Sequence, residues 1–261
     1  MAIELAFKDY GAGPPLVILH GLFGSGRNWH SVAGRLEDRF HVYAVDLRNH
    51  GDSPWAEPMT YSEMVDDLRT FLETRGIERT SILGHSLGGK TAMLFALLYG
   101  HMLDAVVVVD IAPTRYSHTH LPIVQAMQRV DFRQCESRAD VEGQLARGVA
   151  DPALRTFLMQ NVISDDGGYA WRINLNALAA SMDDLLAFPV AMPDLAFTGP
   201  SLFVSGDASD YVSAERHREP IRTFFPAAEF AVIPEAGHRV HVDQPERFLE
   251  AVVTFLDAEL L

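Results

Sequence analysis

Short, almost uninterrupted apolar runs alternate with amphipathic stretches over residues 1–111 and again over 201–261. This pattern predicts buried parallel strands covered by helices on both faces. Glu4–Asp9 reads as a first strand ahead of a turn at Gly11–Pro15, and Leu16–His20 and Val42–Asp46 as strands entering loops, with a helix over Trp29–Glu37 between them. Tyr61–Arg75 sets Met64, Leu68, Phe71 and Leu72 on one helical face and stops at Gly76. Thr80–Leu83 is a short strand pattern, Lys90–Tyr99 an apolar helix ending at Gly100, and Ala105–Asp110 an almost wholly apolar strand. The alternation resumes with strand Ser201–Ser205, helix Ala214–Phe225, strand Glu229–Ile233 and a last helix Pro245–Leu260.

Between the two stretches the character changes. Strand patterns vanish over 112–200, and helical spacing appears at Leu121–Val130, Ala139–Ala150, Ala153–Val162 and Leu175–Leu186, bracketed by Ala112-Pro113 and by the stretch Pro189 to Pro200. The expectation is an α/β core of 1–111 and 201–261 with a mostly parallel sheet, and a helical cap of 112–200 over its carboxyl edge. That edge is where open parallel sheets build their sites.

The chemistry concentrates at Gly84-His85-Ser86-Leu87-Gly88. A G-x-S-x-G run between a strand and a helix is a nucleophile elbow, whose turn is so sharp that flanking side chains would collide with neighbouring elements. Ser86 is thus the expected nucleophile, and it needs a base. Among eleven histidines, His238 lies in a glycine-containing loop directly after the last strand, at the edge where Ser86 sits. His85 is expected to point away from the site, His20 to pack at a loop base, and His50 and His241 to be structural. The His118/His120 pair, with no carboxylate or cysteine at ligand spacing, reads as a solvated loop and not a metal site.

The imidazole in turn needs a carboxylate to fix its tautomer. Asp110 closes a strand predicted beside the elbow strand, so its side chain should emerge at the same edge, although it is equally placed to cap the Ile111–Pro113 turn. Asp207 and Asp210 are the alternatives: they flank Ser209, which occupies the fourth position of the G-x-x-D slot at Gly206. Ser209 would then assist His238 or Asp110. For the oxyanion, the expected donors are the N–H groups of Leu87, at a helix N-terminus, and Leu22, in His20-Gly21-Leu22-Phe23-Gly24. That leaves the side chains of Leu22 and Phe23 to line an apolar substrate pocket. No G-K-[ST] follows the glycines, which weakens a phosphate-loop reading.

Composition narrows the partners. The 261 residues are 48% hydrophobic, carry a net charge of −14 and include one cysteine, Cys135. An acidic surface repels phosphate backbones and anionic lipid, so neither nucleic acid nor membrane is an expected partner. An intrachain disulfide is impossible, and neither a leader peptide nor a transmembrane-length apolar run is visible, so a cytoplasmic location is expected.

With H-G-L-F-G-S at 20–25, D-L-R-N-H-G-D-S-P at 46–54, G-H-S-L-G-G at 84–89 and G-H-x-x-H at 237–241, the chain resembles α/β-hydrolases. Val109-Asp110-Ile111-Ala112-Pro113 and the G-x-x-S-x-Y-V stretch Gly206 to Val212 narrow the resemblance to small bacterial esterases of short acyl esters and acyl-CoA thioesters and their mitochondrial relatives. It implies the α/β-hydrolase fold and a triad of Ser86, Asp110 and His238 assisted by Ser209. It also implies a cofactor-free, metal-free hydrolase of small-molecule esters or thioesters. Asp207 and Asp210 depart from the pattern, where those relatives tend to carry neutral residues or proline. The other readings are a C–C bond hydrolase or cofactor-free haloperoxidase on the same residues, or a ligand-binding receptor of the same fold. Dehalogenase and epoxide hydrolase chemistry would need a carboxylate where Ser86 stands.

Overall fold

A computed structural model describes residues 1–165, 167–189 and 195–260. In chain order the first half contains strands β1 (Phe7–Tyr10) and β2 (Pro15–Leu19), helix α1 (His30–Leu36), β3 (His41–Val45), α2 (Tyr61–Thr74), β4 (Thr80–His85), α3 (Leu87–Tyr99) and β5 (Leu103–Val109). Then come α4 (Leu121–Gln128), α5 (Arg138–Leu145), α6 (Pro152–Leu158), the strands β6 (Val162–Asp165) and β7 (Gly168–Trp171), and α7 (Leu175–Leu186). The chain closes with β8 (Ser201–Gly206), α8 (Ala214–Phe224), β9 (Ala228–Ile233), α9 (Val240–Asp243) and α10 (Pro245–Leu260).

Seven strands form one sheet in the order β1-β3-β2-β4-β5-β8-β9. Only β1 is antiparallel to its neighbour. The apolar runs explain the layering. Alternate residues of β5 serve opposite faces: Val106 and Val108 join the core under α2, α3 and α7, while Ala105, Val107 and Val109 join the core under α1 and α10. Because all of the parallel strands point the same way, the loops that leave β2, β4, β5, β8 and β9 gather at one edge of the sheet.

Two sequence expectations need correction. The first strand begins at Phe7 rather than Glu4, because Leu5 is buried in the core and the N–H of Ile3 is held by Asp67 Oδ1 at 2.8 Å, which keeps that stretch out of the ladder. The region 112–200 is not purely helical: the helix expected over Ala153–Val162 stops at Leu158 and tightens into a 3-10 turn at Met159–Asn161, and β6 and β7 then form an antiparallel hairpin where no strand is expected. The Asp-Gly pair at 166–167 is a hairpin-turn signal, and Gly167 takes φ 88°. The expected proline-bracketed stretch after Pro189 lies partly outside the described residues.

The loop after β3 is held by charge. Arg48 is fully buried and forms a two-pronged pair with Asp67 of α2 (Nε–Oδ2 2.6 Å, Nη2–Oδ1 2.8 Å), while Nη1 donates to the Pro58 carbonyl at 2.6 Å. Asp46 accepts from the N–H groups of Gly26 (2.6 Å) and Asp52 (2.7 Å), tying the loop after β2 to the loop after β3. Arg48 Nη2 also lies 3.2 Å from Glu63 Oε2, so removing Asp67 takes away its two-pronged partner and leaves a buried charge with one off-centre carboxylate. Asp67→Ala should therefore cost on the order of 3 kcal/mol of unfolding free energy in urea denaturation, whereas Glu73→Ala, which breaks the exposed Arg69–Glu73 pair, should leave the midpoint almost unmoved.

Candidate active site

The elbow joining β4 to α3 is built by close backbone approach. A Cβ on Gly84 would lie 2.3 Å from the Gly88 carbonyl oxygen, and one on Gly88 would lie 2.4 Å from the Leu19 oxygen. Only glycines fit, and Ser86 between them takes φ 52°, ψ −113°, a strained conformation for a residue with a side chain. Its N–H donates to the Val109 carbonyl at 3.1 Å, which sets it beside the end of β5.

Asp110 follows β5 with φ 51° and its carboxylate is withdrawn from solvent. Oδ2 accepts from His238 Nδ1 at 2.8 Å and also from the Ser209 hydroxyl, and Oδ1 accepts from the Gly206 N–H at 3.3 Å. Of the three acids weighed from sequence, Asp110 is thus the one at His238. Asp207 is exposed and instead caps the N–H of Glu235 at 2.6 Å, and Asp210 is exposed. Because an ionised carboxylate only accepts, the hydrogen bond places the imidazole proton on Nδ1 and leaves Nε2 free as a base.

Burial governs the charges. It pushes Asp110 up to about 6, against the lowering hydrogen bonds from Ser209 and Gly206. It pulls His238 down to about 3, with His120 and His118 adding to the effect. At neutral pH the pair is then a carboxylate and a neutral imidazole, the state that accepts a proton. Among the described residues no hydrogen bond joins Ser86 Oγ to His238; such contacts commonly tighten only when substrate binds.

Ser86 opens onto a narrow cleft of about 400 Å³, solvent at its mouth included, whose walls contain Leu22 and Leu87. Neither the Leu22 nor the Leu87 N–H has a hydrogen-bond partner among the described residues. The expectation for Phe23 is corrected. Its φ is 64°, its ring is buried in the core 6.2 Å from His120, and its carbonyl is held by Asn161 Nδ2 at 2.8 Å, so Phe23 stands behind the wall that Leu22 forms. The H-x-H pair is corrected as well: His118 and His120 both line the cleft, drawn in by Tyr211, whose hydroxyl lies 3.2 Å from His120 Nε2. No cluster of three or more metal-binding side chains occurs among the described residues.

Several residues inside or beside the motifs take roles that the motifs do not assign. Tyr211 stacks on the His238 ring, centroids 3.6 Å apart and 16° from parallel. His85, facing away from Ser86's cleft as expected, packs behind the elbow 4.7 Å from the His238 ring and bonds the His238 carbonyl through Nε2 at 2.8 Å, holding that loop in place. His20 behaves as the packed residue expected, with Nδ1 2.8 Å from the Gly21 oxygen and Nε2 accepting from Leu47 N–H at 2.9 Å. Lys90 lines the cleft while 2% exposed. Burial, with Arg115 nearby, pulls it down to about 7. It is the one charged residue in the apolar run Leu87–Tyr99, the signal that marks it in the sequence.

A seven-stranded, mostly parallel sheet with a strained serine at the end of β4 and an aspartate–histidine pair at the same edge defines a class of fold, and the chain belongs to the α/β-hydrolase family, whose fold matches residues 14–245. Within that family it sits with the esterases and lipases. It is 40% identical over 258 residues to the sn-1-specific diacylglycerol lipase ABHD11 of Danio rerio, covering 96% of this chain and 80% of that protein. It is 32% identical over 244 residues to esterase YbfF of Escherichia coli, covering 93% of each. Among solved structures, a marine microorganism esterase superposes with a TM-score of 0.94 at 38% identity, covering 98% of this chain and 100% of that one.

The Ser209 hydroxyl holds Asp110 down, so Ser209→Ala should raise the Asp110–His238 pair's upper pKa. If the deprotonated pair is the working base, activity falls as pH drops through about 6. The acid limb of kcat/KM should therefore move to higher pH in Ser209→Ala and stay in place in Asp207→Asn; pH–rate profiles of the two variants check this.

Proposed function

We propose that the protein hydrolyses carboxylic esters of small molecules, and acyl-CoA thioesters with them, through an acyl-enzyme. Ser86 Oγ attacks the carbonyl while His238 Nε2 takes its proton, and Asp110, steadied by Ser209, stabilises the imidazolium that forms. The N–H groups of Leu22 and Leu87 receive the oxyanion, each such donor contributing about 3–4 kcal/mol to transition-state stabilisation. His238 then protonates the departing alcohol or thiol, and water releases the acid by the same steps in reverse. Residues 112–200 act as the cap, and the face of the cleft they build selects the substrate. The lipase relative extends the range to be tested to acylglycerols.

The observation that carries this reading is the 2.8 Å bond from His238 Nδ1 to the buried Asp110 at the sheet edge where the strained Ser86 stands. No contact at the site favours the C–C hydrolase, haloperoxidase or receptor readings over it.

A rapid-mixing assay with a short-chain p-nitrophenyl ester should give a burst of p-nitrophenol that Ser86→Ala abolishes. Asp110→Asn should lower kcat by about 10⁴, the effect of stabilising the wrong tautomer, while Asp210→Asn keeps near-full activity. The opposite ranking of the two aspartate variants would overturn the assignment.

A further inference from the structure

Lys90 is a buried cation that the hydrolytic steps do not use. It stands one helical turn beyond Ser86, its N–H bonded to the Ser86 carbonyl at 3.0 Å. Among the described residues it has no carboxylate partner. Its ammonium donates instead to main-chain carbonyls at the end of α7: Leu186 and Ala187 at 2.8 Å each, and Leu185 at 3.5 Å. A helix C-terminus leaves such oxygens without intrahelical donors and carries the negative end of the dipole, so a cation there is favoured. The rings of Tyr116 and Tyr61 lie 5.0 and 5.8 Å from Nζ, close enough to share the charge.

The same turn of α7 is gripped twice more. Tyr61 Oη, from the start of α2, donates to the Leu185 carbonyl at 2.7 Å, and the Tyr116 N–H donates to the Leu186 carbonyl at 3.0 Å. Side chains of that turn, Met182, Leu185 and Leu186, line the cleft together with Ser86. Ser86, to which the acyl group becomes bonded, lines this cleft among mostly apolar side chains, so we assign the cleft to the acyl chain.

We propose that Lys90 is a positioning residue that sets the length of acyl chain accepted, by clamping the last turn of α7 against the core. The proposal rests on the ester-hydrolase reading above. An apolar side chain could fill the same volume, but it could not hold carbonyl oxygens at a fixed distance. Loosening the clamp lets the wall recede and lengthens the pocket without touching Ser86, Asp110 or His238. The effect therefore belongs to acyl selectivity, and it appears in KM more than in kcat.

The test is a series of p-nitrophenyl esters from acetate to decanoate, assayed on the wild type and on Lys90→Met, Lys90→Gln and Tyr61→Phe. Lys90→Met keeps the bulk and loses the donors; its preference for octanoate over butyrate in kcat/KM should rise about tenfold, the scale on which apolar pockets discriminate chain length. Lys90→Gln retains two donors and should fall between it and the wild type. Tyr61→Phe removes a single hydrogen bond, folds even if the lysine variants do not, and should shift the preference the same way by a smaller factor. Unchanged preferences in Lys90→Met and Tyr61→Phe, or an equal loss of kcat on every ester, would overturn the clamp while the active wild type still upholds ester hydrolysis. A wild type that turns over none of these esters would overturn the hydrolase reading and this inference with it.

Discussion

A carboxylate shut off from water stands beneath an imidazole that keeps partial access to it: the Asp110 side chain is 0% exposed and that of His238 27%. An ionised group in that position would be expensive without compensation. The compensation is local: a ring N–H, a serine hydroxyl and a backbone N–H all point at it. Those donors come from the last residue of β8 and the loops after β8 and β9, while the acid stands directly after β5. The parallel sheet is what brings the ends of these strands, and of the elbow strand, to one edge. Any shift of β8 or β9 against β5 would leave a buried charge short of donors, so the satisfied carboxylate also reports that the sheet has closed in the right register.

The elbow works by a complementary logic, packing in place of charge. Gly84 and Gly88 exist as glycines because main-chain oxygens occupy the space a Cβ would need. The strain at Ser86 is sustained by that crowding and by the N–H bond to Val109. Behind it, His85 and the Trp29–His241 stack, with centroids 3.9 Å apart, fill the volume between elbow and base loop. The elbow and the His238 loop thus share one supporting layer, joined by the bond from His85 to the His238 backbone.

Most of this was legible in the chain because the features involved are short-range. Buried strands must be apolar on both faces, which marks β2, β4, β5 and β8. The elbow needs its glycines at fixed offsets, and the sharp turn leaves few alternatives. Asp110 is harder, since Asp207 and Asp210 stand on either side of Ser209 in sequence; only the direction of the side chains leaving β5 and β8 separates the three acids. The hairpin at Val162–Trp171 was missed because four-residue strands carry too little alternation to be read against helical neighbours, although the Asp-Gly turn was there. Phe23 falls elsewhere because its own positive φ turns its ring to the core, and no composition signal predicts that. Tyr211, Lys90 and the contacts of His118 and His120 depend on how 112–200 folds back over the sheet, a tertiary outcome that periodicity does not encode.

The grip on α7 is made through main-chain oxygens, and such contacts are indifferent to the side chains carried by the residues that supply them. Met182, Leu185 and Leu186 can therefore be exchanged for larger or smaller residues while the helix end stays moored by Lys90, Tyr61 and the Tyr116 amide. For protein engineering this is a favourable division of labour: combinatorial libraries at those positions can recontour the binding face while its scaffold remains anchored.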